Sequence, residues 1–192
     1  MKLYHIDRSG YLHENQKIEY ITKFDYLKPA FKENVDIIKN RYDNKLSSHG
    51  RNCFLGDYNS KSHGMDIIFE YERMINYPDK LSRLQSFFAF DLEGVCQFIE
   101  KKELDFEFFR VYEVEYDYYE KYDMNLIRGW SNYDTIINAK YYWENKKSYK
   151  DGKPIYEYLL KLPVEIKKEV TFEYLQEEYD KYKKVIAENK EK

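Results

Sequence analysis

At 192 residues, with 32 basic against 35 acidic side chains and a formal net charge of −3, the chain is long enough for one domain with a sizeable core. It has no global field that would concentrate nucleic acid or hold it on an acidic membrane, although a local basic patch stays open. Cys53 and Cys96 stand far apart without a CxxC partner, which gives no indication of a disulfide scaffold and points to reduced thiols in a cytoplasmic setting. No apolar run approaches the roughly 20 residues of a membrane span, and no basic-then-apolar leader precedes the first strand pattern.

Residues 2–7 read as a strand ending at the Ser9-Gly10 turn, and Gln16 to Phe24 as a short strand behind it. Pro29 suits a first helical turn, and Phe31, Val35, Ile38, Tyr42 and Leu46 recur at helical spacing. From Ser47 to Gly64 the pattern dissolves into Ser, Gly, Asn and Asp, which predicts a long loop; Met65 to Tyr77 returns to a helix stopped before Pro78. Leu84 to Phe90 reads as a buried strand, with Asp91 as N-cap of a helix whose inner face is Leu92, Val95, Cys96 and Ile99 and which reaches Lys102. Residues 108–116 alternate as a strand, with Tyr112, Val114 and Tyr116 on one face and Glu113 and Glu115 on the other. Residues 133–146 form a weaker helix, Asp151-Gly152 a turn, and residues 155–162 and 165–172 two strands separated at Pro163.

The last twenty residues carry Phe172, Leu175, Tyr179, Tyr182 and Ile186 at 3-4-3-4 spacing, an amphipathic helix that packs on the domain or on a second copy of itself. Packing in cis is the simpler expectation; a homodimer through this helix is the alternative. The expected organisation is therefore a domain over residues 1–172 and a helix over residues 173–192 packed on it.

Polar groups inside apolar strands identify the candidate site, because burying them unpaired costs free energy. His5 sits in the first strand, where neighbouring backbone would satisfy it or a ligand would use its donor and acceptor. Arg8 follows as either a phosphate donor or a solvated charge. Arg83 heads the Ser82-to-Asp91 strand and calls for an anion, either a ligand phosphate or one of Glu70, Glu72 and Asp79. Glu157 lies between Tyr156 and Tyr158, either desolvated and functional or facing solvent on a strand edge.

Other constellations are weaker. His49, Cys53 and His63 offer three zinc ligands without a fourth and without regular spacing, so no metal site is expected. Glu113 and Glu115 read as a solvated pair rather than a glycosidase pair, and Lys146-Lys147 and Lys183-Lys184 as solvated helix faces rather than RNA contacts. None of the seven glycines falls into a Rossmann or P-loop phosphate cradle.

A His on the first strand, the Ser/Arg-bearing strand leading into a helix, and the late Glu157 together resemble the ADP-ribosyltransferase group. The opening Tyr4-His5-Ile6 and the central SRxQSxF pattern (Ser82, Arg83, Gln85, Ser86, Phe88) resemble a bacterial domain-of-unknown-function branch near it. The resemblance implies an α+β fold with a split, mostly antiparallel sheet, flanking helices and a C-terminal amphipathic helix. It further implies an enzyme that consumes NAD as substrate and passes ADP-ribose to a protein or nucleic-acid acceptor, as a toxin or phage-defence component. On this resemblance Glu157 is the catalytic carboxylate, His5 contacts the adenosine-side ribose, and Arg8, Ser82, Arg83, Ser86 and Phe88 surround the dinucleotide. The chain departs from the Ser-Thr-Ser form of one branch and from the central Tyr of the other. A non-catalytic nucleotide- or RNA-binding module on the same fold is the alternative.

Overall fold

The computed structural model describes residues 1–24, 32–55, 61–102, 109–128, 132–148 and 153–190. Two antiparallel sheets frame it. The first runs β1 (Leu3–Asp7), β4 (Arg110–Glu115), β7 (Val164–Val170), β2 (Lys17–Ile18), and the second β3 (Ser86–Ala89), β6 (Tyr156–Lys161), β5 (Tyr119–Asp123). A reciprocal backbone pair pins the sheets together at one corner: Tyr4 N–H to the Phe90 carbonyl and Phe90 N–H to the Tyr4 carbonyl, both 2.8 Å. The chain is thus a mixed α+β protein, as its strand and helix patterns predict. No described helix is long and apolar enough to cross a membrane.

Three of the four apolar clusters among the described residues pack directly on the two sheets. Between the sheets pack Leu3, Tyr112, Val114 and Ile166 from the first and Ala89, Tyr158 and Leu160 from the second. Behind the first sheet, Tyr4, Ile6, Val111 and Val170 meet α4 (Leu92–Lys102) and α6 (Phe172–Lys190) through Val95, Ile99, Leu175 and Tyr179. Behind the second, Tyr122 and Leu159 meet α3 (Lys61–Asn76) and α5 (Asn132–Trp143) through Phe69, Ala139, Tyr142 and Trp143. Central β6 is covered on both sides, and Glu157 to Leu160 are all buried, so its sequence shows no polar alternation. Leu175 and Tyr179 of α6 are buried in cis, while Tyr182 and Val185 further along are exposed.

Several elements differ from the sequence expectation. The predicted long loop contains a helix, α2 (Ser48–Leu55), and α3 begins at Lys61, ahead of the expected Met65. Ser and Gly argue against a helix locally, but α2 forms because it packs on the 3-10 turn Arg83–Gln85. Gly50 permits that contact: a Cβ there would lie 2.0 Å from the Leu84 carbonyl oxygen. Gly50→Ala is expected to destabilise the fold by about 1–3 kcal/mol through overpacking against rigid backbone, seen as a lowered melting temperature. An unchanged melt would mean that α2 does not press on this turn.

Arg83 itself lies on that turn rather than on the strand, which starts only at Ser86. The strand expected from Gln16 to Phe24 is reduced to β2 and a single bridge from Ile21 to Leu46, so Leu46 belongs to that bridge and not to the preceding helix, α1 (Lys32–Tyr42). Pro29 and Phe31 lie outside the described residues. β5 escaped sequence reading altogether because Glu120, Lys121 and Asp123 break its apolar character. As a sheet edge it accommodates them: Glu120 accepts from Leu81 N–H at 2.9 Å, and the Lys121 ammonium lies 4.0 Å from the Tyr156 ring centre. Ion pairs from Arg83 to Glu70, Glu72 or Asp79 do not occur among the described residues; Glu70 instead accepts from Arg73 Nε at 3.1 Å and from Ser82 Oγ at 2.9 Å.

Candidate functional site

At the corner where the two sheets meet lies a half-open pocket of about 230 Å³. Its walls come from β1 and the residue after it (His5, Ile6, Arg8), from α2 (His49), from β3 and the residue after it (Phe88, Phe90), and from Arg83, Phe98, Met124 and Glu157. His5, Arg83 and Glu157, widely separated in the chain, therefore line one hollow. The Tyr4–Phe90 pair brings β1 beside β3, and the antiparallel partnering of Phe88 with Leu159 puts Phe88 and Glu157 on the same face of the second sheet.

Glu157 is 3% exposed and fully enmeshed on one side. Its Oε1 accepts from Arg83 Nη1 and, at 2.5 Å, from the Tyr142 hydroxyl, which in turn accepts from Arg83 Nη1 at 3.0 Å. Oε2 accepts no hydrogen bond among the described residues, so one oxygen is anchored and the other is available. Burial pushes the Glu157 carboxyl above the ordinary range, while the Arg83 charge and the Tyr142 hydrogen bond favour its ionised form. Tyr142 is held well above a normal phenol by burial and the adjacent carboxylate, so it remains a donor.

Arg83 is shared. Its Nε donates to Asp66 Oδ1 at 3.1 Å, and its guanidinium lies 4.9 Å from the Phe88 ring centre. Burial tends to lift the Asp66 carboxyl, but Arg83 and His49 outweigh it and hold it at about 2. Because this lies below the unfolded aspartate value of about 3.9, its stabilisation is complete above the unfolded pKa and is lost as the pH falls through the folded one. That amounts to roughly 2–3 kcal/mol, and urea unfolding followed from about pH 5 down to about pH 2 is expected to show it. Asp66→Asn should flatten that part of the profile; an equally steep loss in the variant would assign the acid sensitivity elsewhere.

His5 is partly exposed at the pocket wall. Its Nδ1 lies 2.7 Å from the Phe88 carbonyl oxygen, which can only accept, so Nδ1 carries the proton and Nε2 is left as an acceptor. Burial lowers its pKa and Arg8 adds to this, keeping the ring neutral against the pull of the Phe88 hydrogen bond. The ring also packs on Phe87, with centroids 4.2 Å apart. Arg8 is exposed and has no hydrogen-bond or ion-pair partner among the described residues.

The remaining sequence candidates lie behind the wall. Ser82 Oγ donates to Glu70 and caps the turn by accepting from Leu84 N–H, and Ser86 Oγ donates to the Ser82 carbonyl at 2.7 Å; both are buried and neither lines the pocket. Sequence reasoning missed Tyr142 and Asp66. Tyr142 is one tyrosine among 22, and Asp66 needs α3 to face Arg83, so neither carries a local signal.

A protein-family profile described as "Protein of unknown function (DUF2441)" matches residues 3–172, and the chain belongs to that family. No curated protein matches it. The match covers both sheets and every pocket-lining residue, and stops where α6 begins.

Proposed function

We propose that this member of a family of unknown function is an NAD-dependent ADP-ribosyltransferase-like enzyme, with the pocket at the corner of the two sheets as its nicotinamide-ribose site. The observation that carries the reading is Glu157, a buried carboxylate with one oxygen tied to Arg83 and Tyr142 and the other without a donor among the described residues. At about 230 Å³ the pocket suits one nucleoside end rather than a whole dinucleotide. In this reading Glu157 Oε2 accepts from a ribose hydroxyl and stabilises the positive charge that builds on the sugar as its bond to nicotinamide breaks. Nicotinamide leaves with the bonding electrons, and a protein or nucleic-acid nucleophile attacks the sugar carbon and releases its proton to solvent. His5 Nε2, on the wall of the same pocket, accepts from a second hydroxyl of this ribose rather than from the adenosine-side ribose that the resemblance implies, and Phe88 offers a ring face. Arg83, consumed by two carboxylates, positions Glu157, and the pyrophosphate falls to Arg8. A toxin or phage-defence role accords with such an activity.

The Arg83 ion pair favours a second reading, a binding module in which Glu157 is neutralised and structural. Incubation with NAD separates the two. Nicotinamide release supports the enzyme; a raised melting temperature in NAD without release supports the module; neither effect removes NAD from consideration.

A further inference from the structure

We propose that His49, Cys53 and Asp66 form a divalent-metal site whose donor set suits zinc. The geometry carries this. His49 Nε2 and Cys53 Sγ are 3.7 Å apart, His49 Nε2 and Asp66 Oδ2 3.3 Å, and Cys53 Sγ and Asp66 Oδ2 4.0 Å. A tetrahedral ion bound at about 2.3 Å to sulfur and about 2.0–2.2 Å to nitrogen and oxygen sets its ligands about 3.3–3.7 Å from one another. Two of the three edges therefore stand at coordination length already, and the third needs to close by a few tenths of an ångström. Three protein ligands leave the fourth position to water or to a ligand group, and His49 lines the pocket.

Helix α2, which stands where the sequence predicts a loop, creates the arrangement. Four residues apart, His49 and Cys53 share one face of α2, and Asp66 comes from α3. Asp66 Oδ1 is held by Arg83 Nε, so its Oδ2 is the oxygen left to coordinate, and Arg83 acts as the outer partner that orients a carboxylate ligand. Asp66 and Glu157 face a single guanidinium in this buried group, and a dication that binds Cys53 as thiolate, with the thiol proton released to water, adds one net positive charge to it. A His49–Asp66 ion pair without metal, at the observed 3.3 Å, is the competing outcome. The side chain of His63 lies outside the described residues and takes no part in the argument.

Full-length protein, stripped with chelator and titrated with Co²⁺, is expected to bind one equivalent with a thiolate-to-cobalt charge-transfer band and the intense visible bands of a tetrahedral ion, both displaced by Zn²⁺. Cys53→Ser should lose the charge-transfer band, and Cys96→Ser, which alters the other thiol, should keep it. X-ray absorption of the zinc-loaded wild type should show one sulfur in a shell otherwise of nitrogen and oxygen, which decides the matter even if the Cys53 variant fails to fold. The site is refuted if cobalt gives no tetrahedral spectrum, if the band survives Cys53→Ser, or if zinc shows no sulfur. No NAD enters the titration, so its failure leaves the enzymatic reading standing.

Discussion

Glu157→Gln is expected to lower nicotinamide release from NAD by about 10²- to 10³-fold while leaving the melting temperature nearly unchanged. The substitution keeps the shape of the side chain. Its amide oxygen can still accept from Arg83 and Tyr142, the two groups that now hold Oε1, and its NH₂ takes the place of Oε2. What disappears is the negative charge beside the sugar in the transition state, and a carboxylate as buried as Glu157 is little screened by solvent. Stability is spared because Asp66 remains as the counter-charge of Arg83, 3.1 Å from its Nε. Release from wild type with no loss in the variant would place the reacting carboxylate elsewhere. If the variant lost both activity and fold, Glu157→Asp, which retains the charge on a shorter arm, would separate the causes by keeping the ion pair while misplacing the oxygen.

Arg83→Met should cost about 3–5 kcal/mol of stability, because it leaves Asp66 and Glu157 buried without their shared partner. Both carboxylates are within hydrogen-bonding distance of the one guanidinium, so a single change strips it from both, leaving Asp66 with His49 and Glu157 with only the Tyr142 hydroxyl. Acid should partly rescue the variant: with the guanidinium gone, burial holds the Glu157 carboxyl above its unfolded value, and its protonation as the pH falls then relieves the native state. The double change Arg83→Met with Glu157→Leu should recover much of the loss at neutral pH, since Asp66 keeps His49 at 3.3 Å and the apolar pair fills the gap. Denaturant midpoints measure all three. A single variant as stable as wild type would mean that water enters the site freely and that the network is ornamental to the fold.

The polar interruptions of apolar strands were legible because burial makes them costly wherever the strand lies. His5, Arg83 and Glu157 stand out on that ground, and each is found against the same pocket. Their partners were not legible. Arg83 answers to Asp66 on α3 and Glu157 on β6, 17 and 74 positions away, and not to the acidic residues closest in sequence. Ser82 and Ser86, which share the motif with Arg83, serve the turn that holds it, one on Glu70 and the other on a backbone carbonyl. Motif membership in this chain therefore mixes residues that face the pocket with residues that support its wall.

From periodicity and burial cost alone, the chain determines an α+β protein with helices over most of their lengths, a strand around Glu157, and a terminal helix with one apolar stripe. These depend on contacts between neighbours in sequence, where spacing of 2 or 3.6 residues suffices. The folded structure alone decided that Ser48–Leu55 is helical, that a charged segment forms the edge strand β5, and that β6 and β7, adjacent in the chain, belong to different sheets. It also decided which carboxylates Arg83 neutralises. The reason is that backbone bridges such as Tyr4 to Phe90 and close approaches such as Gly50 to Leu84 join distant segments, and the energy of those joints has no local pattern to announce it.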